Sequence, residues 1–248
     1  MTRSKLNALL TAGGLALLQL SAAAQTDVND SSLYAQSLKN TVGVYEKAMT
    51  TESPIVNGRQ YKPYTFTFIK EGHPFFQTNQ YAAGTVNYED KFYENVKLLF
   101  DQHLDMVILD AGVRVELIND RLPEFTIADH RFVRLPINTV NQVLPTGYYE
   151  ILHTGGLNLY KKEYKEFKEV LSVTEGYQVE VLDKVSYFIQ KDNQFHRVKN
   201  KGALLDILRD RRGEVEKYIQ SNRLNFRRDK ENTITKAVIY YDQLIRPR

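Results

Sequence analysis

Residues 84–109 read GTVNYEDKFYENVKLLFDQHLDMVIL and gather Glu89, Asp90, Glu94, Asp101 and Asp105 around His103. Two carboxylates held in different environments within one cleft could work as general acid and general base, and a histidine beside a carboxylate could serve as a base. The spacing argues for something plainer. Val96, Leu98 and Phe100 share one face of a strand, with Asn95, Lys97 and Asp101 on the other. Glu89 and Asp90 fall in a turn, where acidic side chains bond local backbone. Glu94 lies on the polar side and Asp105 follows the next turn. Carboxylates are seldom buried unless paired, so these acids read as the solvated face of an antiparallel sheet.

The other chemistry-bearing residue types give no stronger pattern. His73, His103, His130, His153 and His196 include no His-x-His or His-x-x-x-His pair, so no local zinc site is written. No Gly-x-Ser-x-Gly elbow occurs. Thr154-Gly155-Gly156 lacks the Gly-Lys-Ser/Thr ending and the following helix of a phosphate loop. With 0 cysteines there is no disulfide framework, thiolate zinc ligand or cysteine nucleophile, and no cysteine for lipidation after a signal sequence. No catalytic, cofactor-binding or metal-ligating residue is assigned.

The elements that must position these residues follow from the period of the apolar positions. Leu33, Tyr34, Leu38, Val42, Tyr45 and Met49 recur at steps of three and four, an amphipathic helix that Pro54 and Asn57-Gly58 end. From Tyr61 to Val198 the period becomes two. Tyr64, Phe66 and Phe68 alternate, and Val86 and Tyr88 precede the Glu89-Asp90-Lys91 turn. Met106–Leu109, Val113–Leu117, Phe125–Ile127, Phe132–Leu135, Gly147–Leu152, Leu157–Tyr160, Val185–Gln190 and Gln194–Val198 alternate with turn signals. YKKEYKEFKEVL (residues 160–171) fits either a helix or a lysine-studded edge strand, and the strand is favoured because edge strands carry lysine against unwanted pairing. Tyr148 and Tyr149 are adjacent in a strand and point to opposite faces, so at most one is expected in the core and the other is left to a partner. After Lys199 three apolar stripes predict helices: Leu204, Leu205 and Leu208; then Val215, Tyr218 and Ile219; then, behind an Asp229 cap, Ile234, Ala237, Val238 and Tyr241.

The ends of the chain say most about setting. Arg3 and Lys5 precede an apolar run from Leu6 to Leu20 and then Ser21-Ala22-Ala23-Ala24-Gln25, the pattern of a Sec signal peptide cleaved after Ala24. The run is short for a membrane span, and no later segment is apolar enough to be one. Cleavage removes Arg3 and Lys5 and lowers the formal charge from +3 to +1, which gives no global field to gather nucleic acid. Charge does concentrate locally. Residues 199–248 hold 13 lysines and arginines against 7 acids, notably Arg209, Arg211, Arg212, Arg223, Arg227, Arg228 and Lys230. This is either a docking face for an anionic partner or a solvated helical surface, and charged helix faces are usually only solvated.

The pieces GHPFF, GTVNYEDKFYENVKLLFD, HRFVRL, GYYEIL and LLDILRDRRGEVEKYIQSNRLNFRRDKENTITKAVIYYDQL, in this order from about Leu33 to Leu244, resemble a family of exported, signal-peptide-bearing proteins of the Bacteroidota. Phe100 departs from its pattern, in which a tyrosine often precedes the aspartate. The resemblance implies a Gram-negative envelope or secreted setting and carries over no activity and no site residues.

The expected architecture is α+β. Residues 1–24 are the signal peptide and 25–58 an N-terminal helical segment. Residues 59–198 form an antiparallel β-meander, as a curved sheet or partly open barrel, and 199–248 a C-terminal helical segment packed on it. The expected function is non-enzymatic binding of an envelope protein, glycan or outer-membrane component, without nucleic acid or cofactor. A hydrolase of extracytoplasmic polysaccharide or peptide, and a carrier of small hydrophobes on the concave face, are the alternatives.

Overall fold

The computed structural model describes residues 53–136 and 144–246. The expected signal peptide and the helix expected over Leu33–Met49 lie outside the described residues. In the described part the chain runs through β1 (Arg59–Gln60), β2 (Thr67–Phe68), β3 (Ala82–Tyr88), β4 (Lys91–Asp101), β5 (Met106–Asp110), β6 (Arg114–Glu116), β7 (Glu124–Ile127) and β8 (His130–Leu135). Then follow β9 (Gly147–His153), β10 (Asn158–Ser172), β11 (Gly176–Lys191), β12 (Gln194–Arg197) and the helices α1 (Lys201–Ile207), α2 (Arg212–Ser221) and α3 (Lys230–Ile245). The segment at 160–171 is strand, as its lysine pattern suggests.

Short loops make the meander. Glu89-Asp90, Ala128-Asp129 and Asp192-Asn193 are two-residue turns with both φ values positive, the mirror-image turn that matches strand twist. The strand order is β1-β6-β5-β4-β3-β7-β8-β9-β10-β11-β12, with β2 beside β11. Pairing is antiparallel along this path, but β2 pairs β11 in parallel. That corrects a purely antiparallel expectation. It also corrects the strand expected through Tyr64, Phe66 and Phe68, of which only Thr67–Phe68 makes a ladder. The aromatic side chains there pack on one another and on Phe167 of the β10–β11 ribbon instead.

The sheet curls strongly but stays open, with β1 and β12 as its edges. In a flat sheet β4 and β9, four strands apart, would lie about 19 Å from each other. Yet the rings of Phe100 (β4) and Tyr148 (β9) have centroids 5.9 Å apart. Phe132 (β8) joins them, 5.2 Å from Phe100 and 4.9 Å from Phe125 (β7). The β4–β5 loop completes the curl: the Lys165 amide donates to the Gln102 carbonyl at 3.3 Å. A bulge helps. The β3–β4 register shifts between Gly84 and Val86, Asn95 takes a φ of 55°, and the extra residue lets Tyr93 and Val96 both face the core.

Two main cores result. One fills the curl with Val86, Tyr88, Leu98, Phe100, Phe125, Phe132 and Tyr148. The other joins Leu157, Leu159, Tyr187, Ile189 and Val198 of the sheet to Leu204, Leu205, Leu208, Val215, Ile219, Ile234, Ala237, Val238 and Tyr241 of the helices. The three apolar stripes read from the sequence are therefore the stripes that dock. Asp229 caps α3, accepting the Asn232 amide at 3.2 Å.

Tyr148 and Tyr149 are both buried, against the expectation of one exposed ring. They do point to opposite faces, but both faces of β9 are covered. Tyr148 enters the curl, and Tyr149 meets Leu144, Tyr160 and Phe188. Burial raises the phenol pKa of Tyr61, Tyr64, Tyr148 and Tyr149 above the ordinary 10.0. The unfolded chain releases those protons near pH 10 while the folded chain keeps them, so stability falls as pH rises through and above that value. Urea unfolding should give similar midpoints at about pH 7 and pH 9 and a sharply lower one at about pH 11. An unchanged midpoint at the highest pH would contradict the burial of these hydroxyls.

Candidate functional site

The acids of 84–109 do not share a cleft. Asp101, expected on a solvated face, is fully buried. The far face of β4 and β5 is covered by residues 61–81, whose Tyr61 and Tyr64 pack near Leu99 and Ile108. Asp101 Oδ1 accepts the amides of His103 and Leu104, each at 2.9 Å, which caps the β4–β5 loop. Its Oδ2 accepts the hydroxyls of Tyr64 at 2.9 Å and Tyr61 at 3.3 Å. Desolvation raises its pKa, and these four hydrogen bonds oppose the rise.

Asp105 is also committed. Its Oδ1 lies 2.7 Å from Lys162 Nζ, and Oδ2 accepts the Tyr148 amide at 3.1 Å. Gly147 permits this. Its φ is +144°, and a Cβ there would stand 2.2 Å from Asp105 Oδ2 and 2.5 Å from Lys162 Nζ. Lys162 is nearly buried, and desolvation pulls its pKa below the ordinary lysine value despite the attraction of Asp105. The remaining acids match their reading. Asp90 and Glu94 are exposed, and Glu89 pairs with Arg121 from the short helical turn after β6.

Two histidines meet carboxylates, the arrangement a hydrolase would need. His130 Nδ1 donates to Glu150 Oε1 at 2.5 Å, and its Nε2 accepts from the Gln77 amide at 2.9 Å. Glu150 Oε2 in turn stands 3.2 Å from Lys161 Nζ. Burial alone would lower the Lys161 pKa, but Glu150, Glu163 and Glu231 together raise it. Both ring nitrogens are bonded, and Glu150 Oε2, buried without a hydrogen bond of its own, faces the Lys161 charge, so the network ties β8, β9 and β10 together. His153 Nε2 donates to Asp242 Oδ2 at 3.1 Å, and the Gly156 amide donates to Asp242 Oδ1 at 2.8 Å. That pair fastens α3 to the β9–β10 turn. His103 stacks on Phe167 at 3.6 Å and donates to the Lys165 carbonyl. His73 stacks beside Phe75, and His196 lies in β12. Among the described residues no three histidines or acids gather to hold a metal, and no helix is long and apolar enough to cross a membrane.

The feature without an internal explanation is a cleft of about 250 Å³ lined by Val185, Ser186, Arg197, Val198, Lys199 and Lys230. Val185 and Ser186 come from β11, Arg197 ends β12, Val198 and Lys199 follow it, and Lys230 begins α3. Tertiary packing brings the three parts together. Val198 is anchored in the helix–sheet core, and its amide donates to the Tyr187 carbonyl at 2.8 Å. Lys230 Nζ sits 5.4 Å from the Tyr187 ring centroid and 5.6 Å from that of Phe226, so cation–π contacts hold the ammonium at the cleft. Desolvation and the neighbouring Arg197 charge lower its pKa. Arg197 donates to Ser186 Oγ at 2.9 Å.

Among the described residues no carboxylate pairs with Arg197, Lys199 or Lys230. The flanking acids are engaged elsewhere. Asp229 caps its own helix, and Glu231 lies 3.2 Å from Lys161 while accepting the Tyr187 hydroxyl at 3.0 Å. Other basic residues of the C-terminal segment are ordinary surface charges, such as Arg212 with Asp206 and Arg211 with Glu214. Of the basic residues singled out in the sequence, Lys230 alone belongs to this cleft. Arg197, Lys199 and Ser186 were missed, because nothing in their local spacing marks them.

Comparison with family models, curated proteins and solved structures gives no match. The site's own geometry has to carry the functional argument.

Proposed function

We propose that this is an exported, non-enzymatic protein of the envelope or the cell exterior that acts by binding, and that the cleft of Arg197, Lys199 and Lys230 is where an anionic partner is held. The N-terminal signal pattern and the family resemblance supply the export part of the reading. The single observation that supports the binding part is the convergence of three cations that no carboxylate balances among the described residues. Arg197 and Lys199 are exposed and Lys230 is half-buried, so the cluster is open to a ligand, and an anion there would offset the repulsion of Lys230 by Arg197. A hydrolase is disfavoured because Asp101 and Asp105 are taken up by backbone amides, tyrosine hydroxyls and Lys162, and His130 is held on both ring nitrogens by Glu150 and Gln77. A carrier of small hydrophobes is disfavoured because Phe100, Phe125, Phe132 and Tyr148 fill the interior such a ligand would need.

The test uses a charged polymer and its neutral parent, dextran sulfate and dextran. The protein should bind only the sulfated polymer, with affinity falling at least about tenfold between roughly 50 and 300 mM salt, as screening requires. Equal binding of dextran would contradict the reading. Shortening of envelope polysaccharide or peptide on incubation would replace it with an enzyme.

A further inference from the structure

We propose that the cleft between β11, the end of β12 and the start of α3 is a phosphoryl site, taking a terminal phosphate monoester on Arg197, Lys199, Lys230 and the Ser186 hydroxyl. The proposal rests on the binding reading above and names its ligand class.

Charge decides the class. A carboxylate or a sulfate ester brings one negative charge, which would leave two of the cleft's three positive charges unbalanced. A phosphate monoester carries about −1.5 to −2 at neutral pH and has three strong acceptor oxygens. Donor supply matches. A guanidinium has five N–H donors, an ammonium three and a serine hydroxyl one. Arg197 spends one N–H on Ser186 Oγ, which holds the guanidinium in place and leaves the serine proton free to donate to a ligand. Arginine suits this role because its planar fork fits two phosphate oxygens at once. The volume of about 250 Å³ leaves room for part of the carrier beside the anionic head, with Val185 and Val198 as the apolar wall. The lowered pKa of Lys230 fits as well: an anion in the cleft offsets both its desolvation and the repulsion from Arg197.

Isothermal titration at about pH 7.5, where the second phosphate proton is largely gone, tests the assignment with four probes: inorganic phosphate, phenyl phosphate, phenyl sulfate and acetate. Phosphate and phenyl phosphate should bind saturably, and the singly charged phenyl sulfate and acetate at least about tenfold more weakly. Arg197→Gln and Lys230→Gln should each lose at least about tenfold in phosphate affinity in a protein that remains folded at the assay temperature, because each removes one charge-assisted donor. Arg223→Gln, on the exposed surface after α2, should bind as the parent does. Binding of inorganic phosphate but not phenyl phosphate overturns the monoester assignment. Equal binding of all four anions overturns the phosphoryl class and leaves the anion-binding reading standing. Phosphate binding that survives both cleft variants overturns the site itself. If in addition those variants retain dextran sulfate affinity, the reading of the cleft as the functional surface falls with it.

Discussion

Asp101→Ala should destabilise the protein by about 3–5 kcal/mol, lowering the thermal midpoint by on the order of 10 °C. The carboxylate is fully buried and serves four donors at once: two backbone amides that close the β4–β5 loop and two tyrosine hydroxyls from the segment covering the sheet's far face. Alanine leaves all four without this acceptor, the Tyr61 hydroxyl among them in a buried setting, and buried donors left unpaired are costly. Asp101→Asn should cost much less, about 1 kcal/mol or under, because the amide oxygen can still accept the two backbone amides. The raised pKa of Asp101 points the same way. The folded state holds its proton more tightly than the unfolded chain does, so above the ordinary carboxylate pKa the ionised form works against folding. Chemical denaturation of the two variants separates the roles. A structural acid gives a large loss for alanine and a small one for asparagine, whereas equal losses would mean that the negative charge itself is what the loop requires.

Lys162→Met should cost about 2–3 kcal/mol and be largely rescued by a second change, Asp105→Asn. Lys162 is nearly buried beside the Tyr149 ring, 5.3 Å from its centroid, and Asp105 is its one close carboxylate. Removing the ammonium alone strands a partly buried carboxylate whose remaining partner is the Tyr148 amide. Removing both charges leaves a methionine that fills the lysine's apolar path and an amide that can still accept from Tyr148. Denaturation midpoints of the two single variants and the double variant give the coupling directly. A double variant as unstable as the sum of the singles would show that the pair is not the tie between the β4–β5 loop and β10.

These two sites also show how far the sequence could be read. The alternation of Val96, Leu98 and Phe100 predicted the inward face of β4, and the stripe of Ile234, Ala237, Val238 and Tyr241 predicted the docking face of α3. Both depend only on local period, which survives folding. Asp101 was misplaced because strand alternation fixes which face a side chain points to and not whether that face is covered. The cover, residues 61–81, lies well before β4 in the chain and was read as ordinary strand. Tyr149 failed for the same reason, since α+β sheets that curl bury both faces of their middle strands. The segment 160–171 is strand as expected, but not at an end of the sheet: β10 is paired by β9 at Leu159–Lys161 and by β11 along its length. The cleft was illegible because Arg197 and Lys199 gain meaning only when α3 docks and sets Lys230 beside them. Basic residues of the C-terminal segment drew notice as a group, yet most stay in solvent and one does not.

The account's central claim is that the body's acids and histidines hold the fold while the unbalanced cations of the cleft do the binding. The most direct measurement compares dextran sulfate affinity, at low salt, of the Arg197→Gln, Lys199→Gln, Lys230→Gln triple variant with that of Asp101→Asn. The account predicts a loss of at least about tenfold for a triple variant that remains folded at the assay temperature, and parental affinity for Asp101→Asn. Undiminished binding by the triple variant, or binding abolished in a folded Asp101→Asn protein, would contradict it.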